Sequence, residues 1–181
     1  MFWKKKSTED KADAIGERLL GAVPEMANIM LSELGDKYSI HLNDDQTERF
    51  LIELFVFYMH LLDRMAFARL GPAGREAFGD RLVAVVAHGL MDSLDRSISS
   101  VDFVARLRDT YNRRQVEYAG YRDLVARQDE PLKGTLFWEV GKVIWRITGD
   151  SNPVTLTMIS IMISKSVPLV LDAVAAEQYL R

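Results

Sequence analysis

In the stretch from Phe50 to Leu70, hydrophobic residues occupy nearly every side of a helical projection. A helix on a protein surface keeps its hydrophobic residues on one face, so a helix of this kind must be surrounded by others. The pattern therefore predicts a central helix that the rest of the chain wraps. Asn43 and Gln46 can form a capping box at its start.

Two helix breakers, Gly71 and Pro72, end this central helix and leave a short link before the next hydrophobic pattern. A short link brings two consecutive helices back alongside each other as an antiparallel hairpin. The second helix of the hairpin should turn one apolar face inward, at Phe78, Leu82, Val85, Val86 and Leu90.

Before the hairpin, hydrophobic residues recur at helical spacing from Ala12 onwards, after a capping box made by Ser7 and Asp10. Gly35 is a stop signal for this helix, and residues 36–42 read as a loop. Pro24 removes a backbone donor inside the pattern, so we expect either two short helices or one helix with a kink.

Three more helical patterns follow the hairpin. The first begins after the segment RSISS, where Ser99 or Ser100 can cap, and carries a seam with a polar centre at Val104, Leu107, Tyr111, Arg114, Tyr118, Tyr121 and Val125. The second follows Pro131 and Gly134, closes at Gly149 and has an inner stripe at Leu136, Val140, Val143 and Ile147. The last starts at Asn152-Pro153 and should bend at Pro168, with inward positions Val154, Ile159, Met162, Val170, Val174 and Tyr179.

No stretch alternates polar and apolar residues in the manner of a surface strand. The predicted fold class is therefore all-α: a single-domain bundle of five or six helices with a central antiparallel helical hairpin. Residues 8–181 should form the domain and residues 1–7 a flexible amino-terminal tail.

Composition narrows the function classes. The chain has 181 residues, no cysteine and a net charge of −3, which excludes disulfides and thiolate sites and gives no general electrostatic field for nucleic acid. Lack of cysteine fits a reducing compartment, so we expect a cytoplasmic protein without an export signal. Charged residues interrupt both long apolar stretches, which argues against a membrane span.

Polar residues within the predicted hairpin form one candidate site. Glu53 and His60 share a helical stripe, and His88 and Asp92 lie one turn apart on the next helix. These four residues are metal-ligand types that two facing helices could bring together. The other interpretation is a buried, hydrogen-bonded polar seam in which Glu53, His60 and Arg64 pair with one another and with the next helix.

A second candidate site lies on the helix after the hairpin. Arginine provides a planar fork for anions, and tyrosine provides a hydroxyl above an apolar ring, so Tyr111, Arg114, Tyr118 and Tyr121 could bind an anionic or aromatic ligand. Alternatively, the tyrosine rings pack in the bundle and their hydroxyls reach solvent at its edge.

The helix that starts at Leu136 has more apolar surface than one inner face requires, because Trp138 and Trp145 widen its hydrophobic arc. Large aromatic residues beyond the core face are typical of an interface between proteins, and a closed homodimer is the commonest arrangement. A helix sandwiched between two layers of one chain would have the same pattern.

At the amino terminus, Phe2 and Trp3 precede Lys4, Lys5 and Lys6. Aromatic and basic residues in this order can make a weak peripheral contact with an anionic membrane, although a solvent-exposed terminus explains them as well.

The chain contains no motif of the nucleotide-binding or α/β-hydrolase classes, which leans against an enzyme, and the sequence names no cofactor. It favours a non-enzymatic cytoplasmic helical protein that acts through protein–protein association, chiefly with itself and secondarily with another protein. The alternative is a metal- or small-ligand-binding helical bundle that uses the polar seam of the central hairpin.

Overall fold

The computed structural model describes residues 7–93, 100–121 and 133–180, with the backbone alone at 92, 93 and 100–103. Within these ranges the chain forms six helices and no strand, which confirms the all-α prediction. The helices are α1 (Thr8–Tyr38), α2 (Asp44–Ser93), α3 (Ser100–Ala119), α4 (Leu136–Thr148), α5 (Pro153–Ala173) and α6 (Ala176–Leu180).

Helix α2 is a hairpin, because Gly71 leaves the helical conformation with φ 72° and ψ −178°. Asp63 and Arg75 are 12 residues apart, yet the Arg75 Nε lies 2.8 Å from an oxygen of Asp63. A straight helix would separate them by about 18 Å, so the chain must fold back. We call residues 44–70 the first arm and residues 72–93 the second arm; together they are the predicted antiparallel hairpin.

The first arm forms the centre of the bundle. Every residue from 52 to 63 is buried, whatever side of the helix it occupies. The capping box is also present, since Asn43 and Gln46 exchange backbone-to-side-chain hydrogen bonds of 3.0 and 2.9 Å. The apolar pattern of the sequence therefore predicted both the position and the start of this helix correctly.

Helix α1 packs parallel to the second arm. Asp13 pairs with Arg81, while Gly16 lies against Val85 so closely that an added Cβ would come within 2.7 Å of it. Residue numbers rise together along this contact, so α1 runs parallel to the second arm and antiparallel to the first. Four of the five predicted inner positions of the second arm are buried, and Val85 is partly buried.

The start of α1 matches the prediction, and its end differs. Ser7 and Asp10 form the capping box, and one continuous helix passes through Pro24, so the chain does not divide there. Gly35 does not end the helix, which continues to Tyr38. The stop comes at Ser39, which adopts the left-handed conformation (φ 55°) and donates its N–H to the Gly35 carbonyl oxygen.

Helix α3 packs across the first arm. Its Arg106 pairs with Glu48, and its Arg114 pairs with Glu53. The predicted seam faces the arm, with Leu107 buried, Tyr118 buried and the other described members partly buried. The predictions for Ser99, for the Ser100 side chain, for Val125 and for Pro131 lie outside the described residues.

Local sequence signals set the boundaries of α4 and the start of α5. Thr135 caps α4, and Gly149 ends it in the left-handed conformation (φ 73°). Asn152 caps α5, with Pro153 in its first turn. Three members of the predicted α4 stripe are buried and Val143 is partly buried, so this stripe is confirmed.

The predicted inner face of α5 needs one correction. Val154 is 59% exposed, because the buried face of the helix begins with Thr155 and Leu156 in the same turn. Ile159, Met162, Val170 and Val174 are buried as predicted, whereas Tyr179 is only partly buried and belongs to α6. The helix continues through Pro168 to Ala173.

Among the described helices, α5 has the length and composition needed to cross a membrane, with a mean hydropathy of 1.8 over its most apolar 18 residues. Of that window, 44% is buried within the protein. Core helices of water-soluble proteins can have the same length and composition.

Candidate functional site

Three polar side chains project from the first arm into the buried centre of the protein. Glu53, His60 and Asp63 are only 6%, 3% and 4% exposed. Burial of a polar group is costly unless it is hydrogen-bonded, so the partners of these three residues determine what the seam can do. All three partners come from helices packed against the first arm.

Glu53 is held by Arg114 of α3. The guanidinium makes two hydrogen bonds to the carboxylate, of 2.9 Å from Nε and 2.6 Å from Nη2, and it also contacts Glu117. Burial lowers the pKa of Arg114, but the hydrogen bonds and negative charge of Glu53 outweigh this effect and raise it. The pair is therefore a charged, bidentate ion pair that fixes α3 against the first arm.

His60 is held by Gln115 of α3. Its Nδ1 lies 2.8 Å from the Gln115 Oε1, and its ring meets the Tyr118 ring edge-to-face with centroids 5.3 Å apart. Burial lowers the pKa of His60, and the hydrogen bond to Gln115 opposes this only in part. We therefore assign a neutral imidazole that donates through Nδ1, which leaves an unprotonated Nε2 with no partner among the described residues.

Asp63 is held by Arg75, which joins the two arms of α2 with three hydrogen bonds of 2.7–2.9 Å. The Tyr111 hydroxyl lies nearby, and burial together with the charge of Asp63 raises its pKa. A cavity of about 350 Å³ opens beside them, lined by Asp63, Pro72, Arg75, Glu76, Gly79, Asp80, Tyr111 and Gln115.

The structure brings Glu53 and His60 to α3 rather than to His88. His88 is exposed and hydrogen-bonds through Nδ1 to the Ala84 carbonyl oxygen, while the Asp92 side chain lies outside the described residues. Among the side chains that the structure describes, no three histidine or acidic residues come together as metal ligands would. The metal-binding hypothesis stays a prediction.

The four residues predicted to bind a ligand divide between two places. Tyr111 lines the cavity beside Asp63, whereas Arg114, Tyr118 and Tyr121 line a second cavity of about 330 Å³. Tyr118 is 1% exposed, and its hydroxyl has no hydrogen-bond partner among the described residues. Burial is the main reason that its pKa is raised, so the hydroxyl stays protonated and can donate a hydrogen bond.

A larger cleft of about 590 Å³ adjoins this second cavity and shares Arg114, Val143 and Arg146 with it. We call the two together the α3–α4 groove, because α3 forms one wall, α4 forms the other and the first arm forms the floor. The larger cleft is lined by Asp45, Arg49, Ile52, Glu53, Arg106, Asp109, Thr110, Arg113, Arg114, Val143, Arg146 and Ile147.

Sequence reasoning found part of this groove and missed the rest. Arg106 and Arg113 are seven residues apart and therefore lie on the same side of α3. The acidic residues between and around them made this shared side hard to recognise in the sequence. Arg49 and Arg146 come from two other helices, and their spacing in the sequence gives no signal that they share a cleft with α3.

The wide hydrophobic arc of α4 is mostly covered within the same chain. Arg146 is its one exposed residue, and Trp145 packs against the hydrophobic core. Trp138 and Trp145 keep partly exposed surfaces. This coverage favours the sandwiched arrangement for much of the helix.

A partly exposed apolar surface nevertheless extends across α4 and α5. The two helices meet at Gly141 and Ser160, where a Cβ on Gly141 would come within 2.2 Å of the Ser160 hydroxyl oxygen. At about 100° per residue, both tryptophans lie about 40–60° beyond Gly141, and Ile161 lies about 100° beyond Ser160. A link of residues 149–152 makes the helices antiparallel, so these directions point to the same side of the pair.

We call this surface the α4–α5 face and define it by Trp138, Trp145, Val154, Met158 and Ile161. Val154 is mostly exposed, and the other four are partly exposed. Lys165 and Asp172 are exposed charged residues on the same stripe of α5. The close approach at Gly141 and Ser160 brings the contributions of the two helices to this face side by side.

Comparison of the chain with models of protein families, with curated protein sequences and with solved structures found no match.

Proposed function

We propose that this chain is a non-enzymatic, cytoplasmic helical protein that works by association with a second copy of itself through the α4–α5 face. The observation that carries the proposal is the run of apolar side chains that stays accessible on two neighbouring helices. Aromatic and aliphatic residues with charges confined to one end are typical of the centre of a protein interface. Burial of such a patch removes apolar surface from water, which favours association.

A second copy is the occupant that the geometry favours. Closed two-fold dimers are the commonest soluble oligomers, and a two-fold contact requires a surface that fits its own copy. In an antiparallel pairing with its axis near Ile161, Ile161 of each copy meets its own counterpart. Lys165 then lies beside Thr157 of the other copy, where no like charge opposes it.

The first experiment compares oligomeric states by sedimentation velocity at about 100 μM. The wild-type chain should be a dimer, and Val154→Glu/Ile161→Glu should be a folded monomer. Val116→Glu is the matched control, because Val116 is 79% exposed on α3, away from the face, and should leave the dimer intact. A monomeric wild-type protein, or a double variant that remains dimeric, contradicts the proposal.

A mixing experiment tests the two-fold axis. Ile161→Lys and Ile161→Glu should each weaken the dimer, because a residue near a two-fold axis meets its own copy and like charges repel. An equimolar mixture should form a heterodimer through the opposite charges. Failure of the mixture to associate places the axis elsewhere and removes this pairing.

Circular dichroism spectra of all variants distinguish loss of association from loss of folding. Flotation with anionic vesicles tests whether the α4–α5 face binds a membrane rather than a second copy of the chain. Self-association is contradicted if the wild-type chain is monomeric in solution and binds vesicles, and if Val154→Glu/Ile161→Glu abolishes that vesicle binding. The α4–α5 face would then be a membrane contact.

A further inference from the structure

The larger cleft of the α3–α4 groove has more basic than acidic side chains in its lining, with five arginines against Asp45, Glu53 and Asp109. Arg49 pairs with Asp45, Arg106 pairs with Glu48, and Arg114 pairs with Glu53 and Glu117. These ion pairs neutralise three of the five guanidinium groups.

The remaining two, Arg113 and Arg146, have no ion-pair partner within the described ranges of the chain. They approach the cleft from opposite walls, since Arg113 belongs to α3 and Arg146 to α4. Both side chains are exposed, and Asp109, one turn before Arg113, is the one acidic residue in the lining of this cleft without an ion-pair partner among the described residues. A concave surface concentrates the field of the charges that line it, and an anion in the cleft could accept hydrogen bonds from both arginines.

Arginine favours a particular kind of anion. Its planar fork matches carboxylate and phosphate oxygens, and forks from two walls suit a tetrahedral dianion that presents oxygens in several directions. A carboxylate has one negative charge and two oxygens, whereas a phosphate monoester has up to two negative charges and three terminal oxygens to share between the two forks. The arrangement of Arg113 and Arg146 therefore fits a phosphate monoester group.

The rest of the groove suits an organic body attached to that phosphate. Ile52, Val143 and Ile147 provide apolar lining in the larger cleft. At the narrow end, the buried Tyr118 hydroxyl is a hydrogen-bond donor without a described partner, as noted above. Apolar walls with a few polar groups are characteristic of sites for small molecules.

We propose that the α3–α4 groove binds a small organic phosphate monoester, with the phosphate between Arg113 and Arg146 and the organic body over Ile52, Val143 and Ile147. This site is separate from the α4–α5 face, which lies on another side of α4. The two proposals can therefore succeed or fail independently.

The test is isothermal titration calorimetry with phenyl phosphate as the probe, beside benzoate and inorganic phosphate. Phenyl phosphate should bind the wild-type chain most tightly of the three, because it alone supplies both the dianion and an apolar ring. No heat with phenyl phosphate at millimolar concentration overturns the proposal. Equal affinity for inorganic phosphate overturns the assignment of the organic body.

Charge-matched variants locate the site. Arg113→Gln and Arg146→Gln should each weaken phenyl phosphate binding by about tenfold, the usual loss for one charge-assisted contact. Arg108→Gln is the control, because Arg108 is exposed on α3 and does not line the groove. Its substitution removes the same charge as the other two. An equal loss in Arg108→Gln would mean general attraction rather than a site, and would overturn the proposal.

One further variant separates the two proposals. Val154→Glu/Ile161→Glu, designed to abolish the dimer, should bind phenyl phosphate with unchanged affinity. A loss of binding in this variant contradicts a site contained in one chain.

Discussion

At the scale of single residues, the ion pair between Arg114 and Glu53 is the strongest polar link between α3 and the first arm. The side chains are 12% and 8% exposed, so neither charge can be hydrated well if the other is removed. Loss of one member of a buried pair is therefore more damaging than loss of both.

We predict that Arg114→Leu lowers the free energy of unfolding by about 3 kcal/mol, because Glu53 is left buried and charged. The double variant Glu53→Leu/Arg114→Leu should recover most of this loss. Urea denaturation measures both, with the exposed Arg108→Leu as a control that should change little. A double variant as unstable as the sum of its single variants would contradict this account of the pair.

His60 provides a prediction about pH. Burial lowers its pKa in the folded protein, so the unfolded chain takes up a proton near pH 6.5 while the folded chain does not. A proton that binds only to the unfolded state favours unfolding. The contribution of His60 to stability is therefore present above about pH 6.5 and is lost as the pH falls further.

We predict that the free energy of unfolding of the wild-type chain decreases from pH 7 to pH 5.5, and that His60→Gln makes this decrease shallower. The steepest contribution of one histidine is about 1.4 kcal/mol per pH unit. His88→Gln is the control, since it removes a histidine that is exposed rather than buried. Equal slopes in the wild type and His60→Gln would show that His60 does not titrate in this way.

At the scale of helices, the hairpin of α2 depends on the backbone of Gly71. Its φ of 72° and ψ of −178° form a combination that residues with a Cβ adopt at a cost of about 1–3 kcal/mol. A Cβ at this position would have no atom within 4 Å, so substitution there tests backbone strain without a clash.

We predict that Gly71→Ala lowers the melting temperature and the free energy of unfolding, by about 1–3 kcal/mol. Gly21→Ala is the control, and it should raise the free energy of unfolding rather than lower it. Gly21 lies inside α1 in open space, where alanine should stabilise the helix by about 0.5–1 kcal/mol. If Gly71→Ala were as stable as the wild type, the turn would not require a glycine.

At the scale of the whole molecule, the parts of the fold that the sequence predicted are those set by local or strongly periodic signals. Asn43 with Gln46 and Asn152 with Pro153 mark helix starts through contacts of neighbouring residues. The central arm could be recognised because it is apolar on every side. The end of α1 was harder to predict, because serine rarely adopts the left-handed conformation that Ser39 has, and Gly35 was the more obvious stop signal.

The candidate sites were less predictable because their partners are distant in the sequence. Glu53 and Arg114 are 61 residues apart, and no periodic pattern indicates that α3 rather than the second arm supplies the partner. The exposure of Val154 illustrates the same limit, since α5 has hydrophobic residues on several sides and only the packing of the other helices decides which side is covered.

The central position of the first arm has a consequence for how the chain can be divided. Residues 52–63 contact neighbours on every side, so each surrounding helix covers a different part of the same apolar surface. A fragment that lacks any one of these layers would expose hydrophobic surface from the middle of the molecule rather than from its edge. We therefore expect no internal site at which this chain could be split into two independently folding pieces. If the protein gains further domains in evolution, we expect them to be added at its ends.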